Sequence, residues 1–501
     1  MINKIGFDTD KYLTKEVAGL IKRMYLFERL YLEFGGKLFS DHHAARVLPG
    51  YRPTTKIELI KKLGELDLYY CVSEEDIVKR KIRGDSGLSY DLQTVKDIED
   101  ITNFGIKVSG VIITRSYKQD ATVKFKNKLE NFGFKVFLLN SIDGYPTEME
   151  KIIAGFEKQP YIKPKNKLVI VTGTGGGAGK MGFCLSQIYH ERKRGVKSGF
   201  AKCETFPIWN LALKHPVNLA YEASTADLKD VNMVDPYHKK ERGVSAINYN
   251  RDIENFAILK KLLVSITGEK TPFGYKSPTD MGLNMAKEGI IDDKACRRAA
   301  KDEIIRRVFR YQRERLEGKE NWSTVERAQG ILKKANLKEV DRKVVVFARK
   351  AAQDGKKQKK GFQNVYCGAA IELRDGRVIT GKNSNILHAE SAVILNTLKV
   401  LADIPDNIDL IDPGVLKEIS EMKEFLKDSN NPSMSVDEVL IALASNAVYD
   451  RSAKKAVEVI GKLKDCEMHV TVLPSEGDEV GIRLLKINLT SDAKTASSRF
   501  I

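Results

Sequence analysis

"KLVIVTGTGGGAGKMGFCLSQIYHE", residues 167–191, decides how this chain is read. An apolar run from Leu168 to Val171 fits a buried strand, five glycines fall between Gly173 and Gly179, and an amphipathic stretch follows Lys180. A phosphate cradle needs that order. Its main-chain N–H groups converge on one point through φ angles that a Cβ resists, and the next helix adds free N–H groups and the positive end of its dipole.

The turn meets two phosphate-binding patterns in part. Against GxxxxGK[ST], Gly179-Lys180 supplies the GK, but Thr174 stands where the first glycine belongs. Met181 stands where a hydroxyl would hold Mg²⁺, and a thioether is a poor ligand for that hard cation. Against GxGxxG/A, Gly173, Gly175 and Ala178 match. Glu204, closing the next strand, is then placed to hold a ribose, although it lies further on than the ~20 residues usual for that fingerprint. The expected cradle is Gly173, Thr174, Gly175, Gly176, Gly177, Ala178 and Gly179 with Lys180, an exposed lysine in this reading. The expected cofactor is a nucleotide, ATP-like or NAD-like, or a simple phosphate.

Strand and helix patterns alternate on both sides of the turn. Residues 12–32 carry apolar positions at helical spacing, "ELDLYYCVS", "KVSGVIITRS" and "KVFLLNS" read as strands, and "ATVKFKNKLENFGF" reads as a helix with a glycine stop. Such alternation predicts parallel strands with helices on both faces. "KQPYIKPKNK" reads as a connector near residue 160. Past the turn, a strand is expected at about 198–203, and "KACRRAAKDEIIRRVFRYQRERLEG" predicts a helix packed through Ile304, Ile305, Val308 and Phe309. "GAAIELRDGRVITGK" predicts a hairpin turning at Asp375-Gly376. "MHVTVLP" and "VGIRLLKINLT" are expected to form a strand pair around a polar "SEGDE".

After the strand expected at about 198–203 comes the polar block "CETFPIWNLALKHPVNLAYEASTADLKDVNMVDPYH", residues 203–238. Irregular segments at the carboxyl ends of parallel strands are where α/β proteins place ligands. The expected catalytic set is Lys180 on phosphate, His215 for proton transfer, and Glu222 and Asp227 as indirect partners of a metal. No residue is assigned as a direct metal ligand.

Composition sets the outer limits. The 501 residues suggest several domains, and no apolar run is long enough to span a bilayer. No signal peptide is expected, so cytoplasmic residence is. The six cysteines are scattered singly, which predicts reduced, buried thiols rather than disulfides or a zinc ribbon. Lys and Arg exceed Asp and Glu by 84 to 67, a net charge of +17 that suits phosphate-bearing partners. The excess is spread along the chain with no RNA-recognition signature, so nucleic acid is the less favoured partner.

Several long blocks resemble the uncharacterised bacterial family catalogued as domain of unknown function 1846. They are "RLYLEFGGKLFSDHHAARVLPGY", "TGTGGGAGKMGFCLSQIYHE", "CETFPIWNLALKHPVNLAYEASTADL", "AINYNRD" and "ITGKNSNILHAESAVILN". The resemblance implies little chemistry, since the family has no established activity. The peptidase label sometimes attached to members finds no HExxH or GxSxG here; the nearest stretch is His190-Glu191-Arg192-Lys193-Arg194. The C-terminal segment faintly resembles the cytidine-deaminase fold, with His388-Ala389-Glu390 as its HxE. The PCxxC of zinc deaminases is absent. Asp41-His42-His43, near Gly35-Gly36-Lys37 and Arg46, reads as structural.

The expectation is a multi-domain α/β protein with Rossmann-like or P-loop-like parallel sheets and a C-terminal α+β, deaminase-like domain. The expected boundaries are 1–162, 163–340 and 341–501. The expected partner is a phosphorylated small molecule or nucleotide, with no membrane association and a homo-oligomeric state. A phosphate-dependent enzyme, a non-catalytic ligand-binding or assembly protein, and a nucleic-acid binder remain open.

Overall fold

The computed structural model describes residues 5–82, 87–144, 147–426 and 432–496. It divides into two compact units, one of residues 5–225 and 230–300, the other of residues 226–229 and 301 onward.

The first unit is built on seven parallel strands: β1 (Arg29–Phe34), β2 (Leu66–Ser73), β3 (Val108–Ser116), β4 (Val136–Asn140), β5 (Leu168–Gly173), β6 (Ser198–Cys203) and a two-residue edge strand (Gly282–Leu283). Their order is β4-β3-β2-β5-β1-β6 and then the edge strand. In β5, Leu168 to Thr172 are all buried, as expected of a parallel strand covered on both faces. The helix Lys180–Lys193 buries every residue from Phe183 to Glu191. Its Phe183, Cys184, Leu185 and Ile188 join Tyr31, Cys71, Val169 and Val171 in one core cluster.

Two expectations need correction here. The apolar spacing at 12–32 is one helix, Thr9–Met24, followed by β1, whose Leu30, Tyr31, Leu32 and Phe34 are all buried. A strand covered on both faces lacks alternation, so its pattern merges with that of the preceding helix. Second, β5 lies between β2 and β1, pairing Leu168 with both Leu66 and Leu30. The connector near residue 160 therefore joins strands of one sheet, not two domains.

In the second unit, β10 (Gly368–Glu372) and β11 (Val378–Lys382) form the expected hairpin, with Gly376 left-handed at its turn. With β12 (Glu467–Val470) and β13 (Asn488–Ser491) they form a sheet of order β11-β10-β12-β13; the short strands Asn232–Val234 and Ile247–Tyr249 of the first unit account for β7 and β8, and the edge strand for β9. β10 is antiparallel to both neighbours, and β12 runs parallel to β13. Ala370 faces Val344 and Ala348 of the helix Lys343–Lys357, while Ala369 and Ile371 face the cluster that includes Val393 of the helix Ala389–Leu401. "SEGDE" does not join a strand pair directly. It opens the helix Glu476–Leu484, where Ser475 and Asp478 form a capping box. A parallel pair needs such a crossover.

The helix Asp293–Leu316 carries Ile304, Ile305, Val308 and Phe309 buried, as expected. All six cysteines are buried and free. Among the described residues, no helix is long and apolar enough to cross a membrane.

Candidate functional site

The carboxyl ends of β1, β5 and β6 meet at the glycine turn, which lies in the first unit. Gly179 is left-handed at φ 80°, and a Cβ there would lie 2.5 Å from Thr114 Oγ1. Only glycine fits both conditions. Thr114 Oγ1 donates to the Ala178 carbonyl at 2.9 Å, and Arg115 Nη2 donates to the Gly177 carbonyl at 2.5 Å. Carbonyls of the turn are thus tied to β3. Its amides are not. The Thr174 amide donates inward to the Cys71 carbonyl at 3.1 Å, but among the described residues none of the amides of 175–182 finds an acceptor. Gly177 is also left-handed, so the turn alternates Gly177, Ala178 and Gly179 in the manner of an anion-binding nest.

Lys180 is buried rather than exposed, with 8% of its surface accessible. Its Nζ donates to the Gly175 carbonyl at 2.9 Å and lies 3.8 Å from Glu33 Oε1. Glu33 Oε2 is buried and has no hydrogen-bond partner among the described residues. Beside this pair, Lys202 Nζ meets Asp252 Oδ1 at 3.0 Å. Burial alone would lower the lysine's pKa, but Asp252, Glu204 and Glu33 together hold it above its ordinary value.

Glu204 is half-buried, and its carboxyl has no hydrogen-bond partner among the described residues. Burial raises its pKa to about 7. Lys202 and Arg251 oppose the rise, and the charges of Asp252 and Glu33 add to it. The site therefore combines free amides, two buried ammonium groups and a cluster of carboxylates, an arrangement able to hold an anion and to accept hydroxyl groups.

Met181 packs against the core cluster. The position that would hold a metal-binding hydroxyl in a P-loop serves packing instead.

The other expected site residues are held in structural contacts. His215 caps the helix Pro216–Ser224: Nδ1 accepts from the Val217 amide at 3.2 Å, and Nε2 pairs with Asp293 Oδ1 at 2.8 Å. Both ring nitrogens are engaged in these contacts. Glu222 is buried, and its Oε2 accepts from the Asn232 amide at 3.3 Å. Asp227 belongs to the second unit, where Tyr311 Oη donates to Oδ1 at 3.2 Å. Much of the polar block serves the backbone: Asn218 brackets Ile208, Asp235 caps the helix Pro236–Arg242, and Trp209 Nε1 donates to the Asn284 carbonyl. A buried polar group needs a partner, and an irregular segment supplies many unpaired amides and carbonyls. Asp41 likewise caps the helix His42–Val47 and pairs with Lys56 at 2.9 Å.

Residues 5–336 match the family model "Domain of unknown function DUF1846, N-terminal", and residues 340–500 match its C-terminal counterpart. The chain belongs to the DUF1846 family. A "UPF0371 protein" of Clostridium tetani (strain Massachusetts / E88) is 44% identical over 497 residues, covering 99% of this chain and 98% of the relative. A "UPF0371 protein" of Clostridium botulinum (strain Alaska E43 / Type E3) is 43% identical over 493 residues, covering 98% and 97%. The DUF1846 blocks noted in the sequence include β1 with Glu33, the glycine turn with Lys180, β6's Cys203 with Glu204, and Asp252.

Sequence reading missed Glu33, Lys202 and Asp252. Glu33 carried a usable signal, a lone acid within the run "LYLEF", whose Leu30, Tyr31, Leu32 and Phe34 are all buried. Charges in such a place are rarely tolerated without a function or a partner. Asp252 approaches Lys202 from 50 residues away, and nothing local marks that pairing.

Proposed function

We propose that this protein binds a phosphorylated small molecule or nucleotide at the glycine turn, as a P-loop-like variant within a Rossmann-like sheet. The phosphate sits on the amides of 175–182, with Lys180 Nζ turned from the Gly175 carbonyl toward it. Glu204 accepts hydroxyl groups of the remainder, a ribose in the nucleotide case. The observation that carries this reading is the row of amides without acceptors beside a buried lysine. Residence in the cytoplasm and a homo-oligomeric state belong to the same proposal. So does a deaminase-like ancestry for the second unit, which has the HxE residues His388 and Glu390.

The test is thermal unfolding of the full chain with pyrophosphate, ATP, GTP, NAD, NADP and sugar phosphates. A ligand at about 100 times its dissociation constant adds roughly 2.7 kcal/mol of stability. One phosphate compound is expected to give that shift in the parent and not in Lys180→Met. If none stabilises the parent, the proposal fails. Salt-sensitive retention of RNA without any small-ligand response would favour the nucleic-acid reading instead.

A further inference from the structure

A second cluster of chemically able side chains lies in the other unit. His388 occupies the N-cap position of the helix Ala389–Leu401, Glu390 occupies its first turn, and Asp478 occupies the first turn of Glu476–Leu484. One ligand atom from each residue lies within 4.8 Å of the other two. His388 Nδ1 and Asp478 Oδ2 are 2.8 Å apart. Glu390 is 3% exposed, and apart from its own amide no donor reaches its carboxyl among the described residues.

We propose that His388, Glu390 and Asp478 bind a divalent cation of the manganese–iron–zinc class. Adjacent ligands about 2.1 Å from such an ion lie roughly 3 Å apart in octahedral and about 3.4 Å apart in tetrahedral geometry. The 2.8 Å His388–Asp478 separation is near the octahedral value and opens slightly for a tetrahedral ion. Binding places the cation where a proton is shared between that nitrogen and oxygen, and the proton leaves to solvent. Glu390 supplies the third ligand by a small side-chain rotation. One imidazole and two carboxylates suit a borderline or hard cation rather than a soft one, and two negative charges match a divalent ion. Three protein ligands leave positions open for water or substrate, as in catalytic rather than structural centres.

The local frame already holds Asp478 in place. Its Oδ1 accepts from the Val436 amide at 2.9 Å, and its Oδ2 accepts from Ser475 Oγ at 2.6 Å. A fixed outer shell of this kind orients ligands. The stretch Pro474-Ser475-Glu476-Gly477-Asp478 has the spacing of PCxxC with oxygen donors in place of both sulfurs. The donors therefore select a harder ion than a thiolate site does.

The experiment is isothermal titration of the chelator-treated full chain with Mn²⁺ and, separately, Zn²⁺. Electron paramagnetic resonance counts bound Mn²⁺. One ion per chain is expected, with affinity reduced at least about tenfold in Glu390→Gln and in His388→Gln. Glu390→Gln is isosteric and breaks no hydrogen bond to another described residue, so its fold is expected to persist, as circular dichroism would verify. Lys180→Met, which alters the other unit, is expected to retain the ion. The proposal is overturned if neither cation binds stoichiometrically below about 1 mM, or if folded Glu390→Gln binds as tightly as the parent.

Discussion

Replacing Glu204 by glutamine tests the electrostatics of the glycine-turn site without removing any hydrogen bond. Burial raises the Glu204 pKa from its ordinary 4.5 to about 7. In the unfolded chain the same carboxyl ionises near its ordinary value. Between these two values the folded protein binds more protons than the unfolded one, so this group's contribution makes stability fall as pH rises. The cost is absent below the lower value and complete above the higher one. At about 1.4 kcal/mol per unit it amounts to at most roughly 3.5 kcal/mol, and partial exposure reduces it. Glu204→Gln carries no such cost. The variant is expected to be more stable than the parent by about 2–3 kcal/mol at pH 8, with a gap that narrows through pH 6 and closes near pH 4.5. The assay is urea unfolding followed by Trp209 fluorescence in a Trp322→Phe background. Trp209 reports the first unit, and the chain has only these two tryptophans. A pH-independent difference, or a variant less stable than the parent at pH 8, would refute the reasoning.

Lys180→Met removes a buried ammonium 3.8 Å from Glu33 Oε1 and is expected to cost about 1–3 kcal/mol in the same urea assay. Unchanged stability would mean that Glu33 is compensated by other groups. Gly179→Ala combines a left-handed φ with a Cβ 2.5 Å from Thr114 Oγ1 and is expected to cost more than about 2 kcal/mol, against about 1 kcal/mol for Gly177→Ala, where the space is open. Thermal midpoints in the opposite order would place the turn's strain elsewhere. In the second unit, Arg306 and Arg342 hold Glu467 at a pKa of about 2 against the cost of burial. Its stabilisation is present above pH 4.5 and lost as pH falls toward 2, so Glu467→Gln is expected to destabilise by about 2–3 kcal/mol at pH 7 and by little at pH 2. A gap that persists at pH 2 would contradict the assignment.

The elements easiest to read in the sequence were those with an unambiguous local signal. β5, the glycine turn and its helix are marked by an apolar run, five glycines and a change of period. β2, β3, β4 and the β10–β11 hairpin carry comparable marks. β1 was hidden because its apolar residues continue those of the helix before it, and with it went Glu33. Strand order was equally hidden: β5 returns between β2 and β1, a choice made by tertiary packing that leaves no trace at residue 160. The polar block is ambiguous in sequence for a different reason. Residues of types that do catalysis also satisfy buried amides, and His215 and Glu222 do the latter. Asp478 was legible only as a spacing, since oxygen donors replace the sulfurs that would make it recognisable.

The most direct measurement is a crystal structure of the full chain grown with pyrophosphate. Density for the anion is expected within hydrogen-bond distance of the amides of 175–182, with Lys180 Nζ moved from the Gly175 carbonyl onto a phosphate oxygen. Pyrophosphate bound elsewhere, or a turn whose lysine still rests on that carbonyl at saturating pyrophosphate, would contradict the role given to the turn.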